Sequence, residues 1–321
     1  MWRVEEERPK KLILLFIILV AFFLQTFMLG GKEPSYDEVA SFYIVSRGTS
    51  QMFSHLLGAT FEHPPLYYLL FQFWIKLCGQ GEFIFRFLSV IFGVLCIPLV
   101  FRLVSRLVAP SVGIIASALL AISAFHVYYA QDARMYSLLC FLALLSLNSF
   151  EAILHQEGRK AWLLYAVSTT LLVSTHYYGA LVVLFQDLFL LIFWRSYRSV
   201  AKRALLAQVA LAVAAAGWVV SASGFRETVG VVAGYGQRPL GERLSFLQVL
   251  ASEFTVGRRV RLDLAWRLSL GVVPLGLLGA WAMGRFTRRE DSGGSRIRHG
   301  QAFLLLYLLI PVLAAGQLPY P

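Results

Sequence analysis

Acidic side chains are scarce in this chain. Asp and Glu number 18 of 321 residues, against 29 Lys and Arg. Charged residues amount to 15%, where soluble domains carry about 25%, and apolar residues amount to 58%. That balance excludes an ordinary soluble globular protein. Cysteine is also sparse. Cys78, Cys96 and Cys140 lie within apolar stretches and show no metal-ligand spacing, which excludes a disulfide framework and a thiolate zinc module. Alternating apolar and polar residues are lacking. The apolar runs are continuous, and this argues against a membrane-spanning barrel. Sequence repeats and low-complexity tracts are absent as well.

Several runs approach the roughly 20 apolar residues that cross a hydrocarbon core. The chain is therefore read as a multi-pass, all-helical membrane protein. Its net charge of +11 does not call for nucleic acid, because Lys and Arg collect on the cytoplasmic side of membrane proteins. Arg3, Arg8, Lys10 and Lys11 precede the first span, near 12–30, and put the N-terminus in the cytoplasm. That run is too long for a signal peptide and lacks a small-residue cleavage pattern. Residues 31–82 form a first outside loop of short helices, broken at Gly48, Gly58 and Pro64-Pro65. Within it, 66–77 is apolar but short for a span and is read as interfacial or re-entrant.

Further spans follow near 83–103, 111–128, 135–154, 161–177, 180–194, 204–222, 265–284 and 301–316, nine in all. A second long outside loop covers 223–264. In this threading the cytoplasmic segments hold more than half of the 29 Lys and Arg. The end of the chain at Gln317–Pro321, just after an outward span, predicts the front part of a longer protein.

Asp37, Glu38, Glu62, His63, Asp132, Arg134 and His176 fall on the outer face by span counting and charge. Ser35 and Glu38 have the spacing of a helix capping box, so the two carboxylates serve either to start a helix or to do chemistry. Ser35-Tyr36-Asp37-Glu38, Glu62-His63-Pro64-Pro65-Leu66-Tyr67-Tyr68 and Gln131-Asp132-Ala133-Arg134-Met135-Tyr136 occur in that order. Together these motifs resemble the glycosyltransferase 39-like, protein-mannosyltransferase-type membrane family with the GT-C fold, a group that includes the aminoarabinose transferase of lipid A. The resemblance is densest over 35–136. It implies a polyprenyl-phosphate sugar donor used on the outer side of the cell membrane, a protein, lipid or glycan acceptor, and a catalytic Asp in the first outside loop, here Asp37.

Such transfer needs a base for the acceptor, cations or donors for the departing phosphate, and an apolar groove for the prenyl tail. Direct displacement with one base inverts the anomeric centre, and a phosphate leaving group needs no protonating acid, so glycosidase-style paired carboxylates are not required. Asp37 is assigned as base, with Glu38 sharing the site. Pro64 and Pro65 fix the backbone that presents Glu62 and His63. Arg134 suits a phosphate through its forked donors, and Asp132, Tyr136 and His176 complete the candidate set.

Each assignment has a plainer counterpart. These are a surface pair for Asp132 and Arg134, an interfacial aromatic belt for Tyr136 and His176-Tyr177-Tyr178, and lipid contacts for Arg226, Arg238, Arg243, Arg258, Arg259 and Arg261. A divalent metal on Glu62, His63 or His176 finds no support in ligand spacing. A transporter or flippase is disfavoured because the ionisable residues sit at span ends rather than mid-span. An inactive fragment or assembly subunit is the third reading.

Overall fold

The computed structural model describes residues 2–58, 63–155, 158–221 and 303, and among them no strand occurs. Eleven helices follow in order: α1 (Trp2–Thr26), α2 (Tyr36–Ser46), α3 (Thr49–Gly58), α4 (Leu66–Cys78), α5 (Glu82–Leu107), α6 (Pro110–Ala121), α7 (Ala124–Ala130), α8 (Tyr136–Leu154), α9 (Gly158–Val173), α10 (Gly179–Ile192) and α11 (Trp194–Ser221). Pro9–Thr26, α5 and α8 are long and apolar enough to cross a membrane, and α6 with α7 make a fourth span if taken as one broken helix. The spans expected near 265–284 and 301–316, and the loop 223–264, lie outside the described residues.

α5 and α8 are the centre of the bundle. α5 packs against α1, α4, α6, α7 and α8, and α8 packs in turn on α9. α1 leaves Leu12, Leu15, Phe16, Leu19 and Phe23 exposed by half or more. Such a face is costly in water and suits lipid. Buried hydroxyls and amides join the inner helices. Ser146 and Thr169 lie 2.8 Å apart, Gln186 donates to Ser146 at 2.9 Å, Tyr165 donates to Gln186 at 3.1 Å, and Gln208 donates to Tyr165 at 2.9 Å. This links α8, α9, α10 and α11 by side-chain hydrogen bonds of the kind that hold membrane helices together.

Two expectations change. The span expected at 111–128 is two helices bent by 60°. Ser123 causes the break: its backbone is extended and its side chain accepts the N–H of His126, an N-cap that competes with helix continuation. Arg195, Arg198, Lys202 and Arg203, expected in a turn before the seventh span, instead lie in the first turns of α11, which kinks at Tyr197. α4 has 13 residues, about 20 Å of helix, too short for a hydrocarbon core of about 30 Å. Its Tyr67, Tyr68 and Phe71 are buried, whereas Phe73 and Leu77 are exposed. One face therefore belongs to the core of the bundle.

Gly93 is one of the points of close helix approach, with Gly113 and Gly179. A Cβ at Gly93 would come within 2.8 Å of the Ala130 Cβ and 3.2 Å of the Gln25 side-chain carbon, joining α5 to α7 and α1. Gly93→Val is expected to destabilise the purified protein by about 1–3 kcal/mol through overpacking. Gly217→Ala, where nothing lies within 4 Å, should be neutral or slightly stabilising. Thermal unfolding followed by helical circular dichroism compares the two; equal behaviour would contradict the packing role of Gly93.

Candidate active site

The site is built outward from one buried ion pair. Ser35 caps α2 in a full capping box: its hydroxyl accepts the Glu38 N–H at 3.2 Å, and its own N–H donates to Glu38 Oε2 at 2.9 Å. The remaining capacity of Glu38 is taken by other elements. Arg86 of α5 donates from Nε to Oε1 at 2.8 Å and from Nη2 to Oε2 at 3.0 Å, and the Ala133 N–H donates to Oε1 at 2.9 Å. Burial pushes the Glu38 carboxyl up, but these donors outweigh it and hold the group below its ordinary value.

Arg86, with its side chain 2% exposed, also donates to the carbonyls of Leu29 at 2.8 Å, Lys32 at 3.0 Å and Glu33 at 3.3 Å. Its five N–H groups thus match five acceptors. Gln131 completes the frame. Its amide donates to the carbonyls of Leu24 and Phe27, and its oxygen accepts from Lys32 at 2.8 Å. The Leu24 carbonyl, left open in the last turn of α1, and the Phe27 carbonyl just beyond it are satisfied in this way.

This frame presents the candidate residues. Asp37, next to Glu38 on the helix, is exposed, and Tyr36 is 87% exposed. Arg134 is held over the start of α2, donating to Ser41 Oγ at 2.8 Å and reaching the Asp37 carbonyl at 3.5 Å. Its Nε is buried and has no partner. His63 and His176 stack with ring centroids 4.3 Å apart, and Tyr136 lies 6.2 Å from His176. The His176 Nδ1 accepts the Tyr178 N–H at 3.0 Å, whereas the His63 Nδ1 and the Tyr67 hydroxyl are buried without partners. The loops carrying the two histidines are joined by the Leu66 N–H donating to the Ser174 carbonyl at 3.2 Å.

The charges are coupled. Burial, then the Glu38 charge, raises the half-buried Asp132 carboxyl to about 7. Burial, then the Arg134 charge, lowers His176 to about 4. Burial, then His176 and Arg134, holds His63 well below the usual imidazole range. Both imidazoles are therefore neutral at physiological pH, and Asp132 exchanges a proton near neutrality.

His63, Asp132, Arg134, Tyr136 and His176 thus lie near one another and near the start of α2. Glu62 lies outside the described residues, as do Arg226, Arg238, Arg243, Arg258, Arg259 and Arg261. Among the described residues no three His, Cys, Asp or Glu side chains gather as a metal requires. Three contributors escaped the sequence reading. Arg86 was visible as a charge inside an apolar run, a feature that signals a role. Tyr67 lay inside a quoted motif. Ser41 carried no signal.

Residues 62–219 match the family model described as dolichyl-phosphate-mannose-protein mannosyltransferase. No curated protein matches the chain. Among solved structures, the chain is similar to one from the S. cerevisiae protein O-mannosyltransferase Pmt1–Pmt2 complex bound to the sugar donor, with TM-score 0.51 and 18% identity. The match covers 66% of this chain and 33% of that one, so this chain spans about a third of the length of its relative. At that identity the likeness is one of fold.

Two measurements test the frame. Glu38→Gln leaves Arg86 buried without a counter-charge and should cost about 3–5 kcal/mol, read as a large loss of folded protein on size-exclusion chromatography. A wild-type yield would contradict the central role of the pair. The second concerns pH. Folding raises the Asp132 carboxyl from 3.8 to about 7, so the folded state holds the extra proton between those values and this contribution to stability fades as pH rises through them. His176, lowered from 6.5 to about 4, acts in the opposite direction over most of that window. Asp132→Asn removes only the first contribution. Its thermal midpoint relative to wild type is expected to rise between pH 4 and pH 7; a constant difference would contradict the raised carboxyl.

Proposed function

We propose that this chain, whose residues 62–219 match the family model of dolichyl-phosphate-mannose-protein mannosyltransferase, is a membrane protein of that family that transfers a sugar from a polyprenyl-phosphate donor to a protein, lipid or glycan acceptor on the extracytoplasmic side. The observation that carries this reading is the set of buried, unpartnered polar atoms beside α2: Arg134 Nε, His63 Nδ1 and the Tyr67 hydroxyl. Buried polar groups without partners are rare in folded proteins. Three together, next to a half-buried carboxylate, fit a site whose partner is an anionic, hydroxyl-rich ligand.

In this reading Arg134 meets the donor phosphate with forked, charge-assisted hydrogen bonds. His63 and Tyr67 contact phosphate or sugar hydroxyls, and the rings of His176 and Tyr136 wall the sugar. Asp37 takes the proton of the acceptor hydroxyl or amine. The acceptor atom bonds to the anomeric carbon from the face opposite the phosphate, and the carbon–oxygen bond breaks with its electron pair going to the phosphate. The product is inverted and the lipid phosphate leaves as an anion stabilised by Arg134. Asp132, poised near neutrality, exchanges protons beside Asp37. Glu38 is a positioning residue, since its oxygens are occupied by Ser35, Arg86 and Ala133.

Asp37→Asn is expected to lower turnover by about 10²–10⁴-fold, the usual contribution of a general base, with an unchanged thermal midpoint. The assay is sugar transfer in detergent micelles with a panel of polyprenyl-phosphate sugars. Wild-type turnover by the variant would remove Asp37 as base. A protein that transfers no sugar in micelles but moves a donor across sealed vesicles would be a transporter, and the transferase reading would be wrong.

A further inference from the structure

The end of the bundle opposite the candidate active site holds a cavity. α8 runs 19 residues from Tyr136 to Leu154, about 28 Å, and the cavity lies at its far end. Its volume is about 340 Å³, within the about 300–1,000 Å³ of small-ligand sites. Ile153 of α8, Trp162 of α9 and Val200 of α11 give it apolar walls, and Arg159, Ser199 and Arg203 give it polar ones. Gly158, in the left-handed region at φ +63°, starts α9 at this cavity and adds a helix N-terminus.

Among the described residues that line the cavity, the charge is one-sided. The acid on this turn of α8, Glu151, is already engaged, with Arg106 at 2.7 Å and the His155 ring at 3.4 Å. Among the described residues neither Arg159 nor Arg203 forms an ion pair. Two guanidiniums and a hydroxyl thus converge on a cavity lined, among the described residues, by no carboxylate, a donor set suited to a phosphate. Apolar surface continues from the same helices toward the middle of the bundle. α9 exposes Leu163, Leu164 and Val167 just after Trp162, and α11 exposes Leu205, Leu206 and Val209 just after Arg203. A free anion has no use for such a surface, whereas the acyl chains of a phospholipid do.

We propose that this cavity binds the head group of an anionic phospholipid, with Arg159 and Arg203 on its phosphate, Ser199 as a further donor and the acyl chains along the exposed faces of α9 and α11. Basic pockets between membrane helices serve this purpose elsewhere. The site is independent of sugar transfer, since none of its residues belongs to the candidate active site.

The test uses the full chain in nanodiscs of phosphatidylcholine with graded phosphatidylglycerol, and in detergent with added phosphatidylglycerol or inorganic phosphate, read by native mass spectrometry and thermal midpoint. Phosphatidylglycerol should bind and raise the midpoint, and inorganic phosphate at equal concentration should not. Arg159→Gln with Arg203→Gln is expected to weaken phosphatidylglycerol binding by about thirtyfold. Arg195→Gln with Lys202→Gln, which removes the same charge outside the cavity, should weaken it far less. Equal loss in both double variants would make the attraction a diffuse charge effect and overturn the proposal. So would stabilisation by inorganic phosphate alone, or an equal preference for phosphatidylcholine. Helical circular dichroism of each double variant confirms that the loss is of binding rather than of fold.

Discussion

The end of the bundle that carries α2 depends on one buried charge pair. Arg86 sits in an apolar helix and Glu38 at the start of another, and neither would be tolerated there alone. An unpaired charge in a low-dielectric interior costs several kcal/mol. The structure avoids that cost by giving Arg86 five acceptors and Glu38 four donors. These partners come from the segment after α1, from α2 and its cap, from α5 and from the turn before α8. A chain segment that would otherwise be an open loop is thereby pinned to the bundle, and the position of Asp37 follows from the pinning.

The same geometry explains why two adjacent carboxylates have different fates. Successive residues on an α-helix point about 100° apart. When Glu38 faces Arg86, Asp37 must face away from it. One acid is buried and fully engaged and the other is exposed. The sequence pair Asp37-Glu38 therefore encodes a division of labour rather than a dyad. Around it the environment separates the remaining titratable groups: the imidazoles of His63 and His176 are held neutral, and the Asp132 carboxyl is held near neutrality.

Much of this was legible beforehand. The capping box at Ser35 and Glu38 was readable from spacing, because it is a local interaction. α5 and α8 were readable as continuous apolar runs, and the gathering of Asp132, Arg134, His63 and His176 followed from charge and span counting. What was illegible depends on side chains meeting across the fold. Nothing local distinguishes a Glu38 that caps from one that also neutralises Arg86 forty-eight positions later. The bend at Ser123 was hidden because Ala-Ile-Ser-Ala-Phe reads as apolar throughout. The basic start of α11 resembled a turn because charge and helix are independent variables.

The two loops carrying His63 and His176 are fastened twice, by the Leu66–Ser174 backbone bond and by the stacked imidazoles. They act as one brace rather than as a pair of flaps, since lifting either one breaks both attachments together, so the start of α4 and the turn after α9 can move only as a unit.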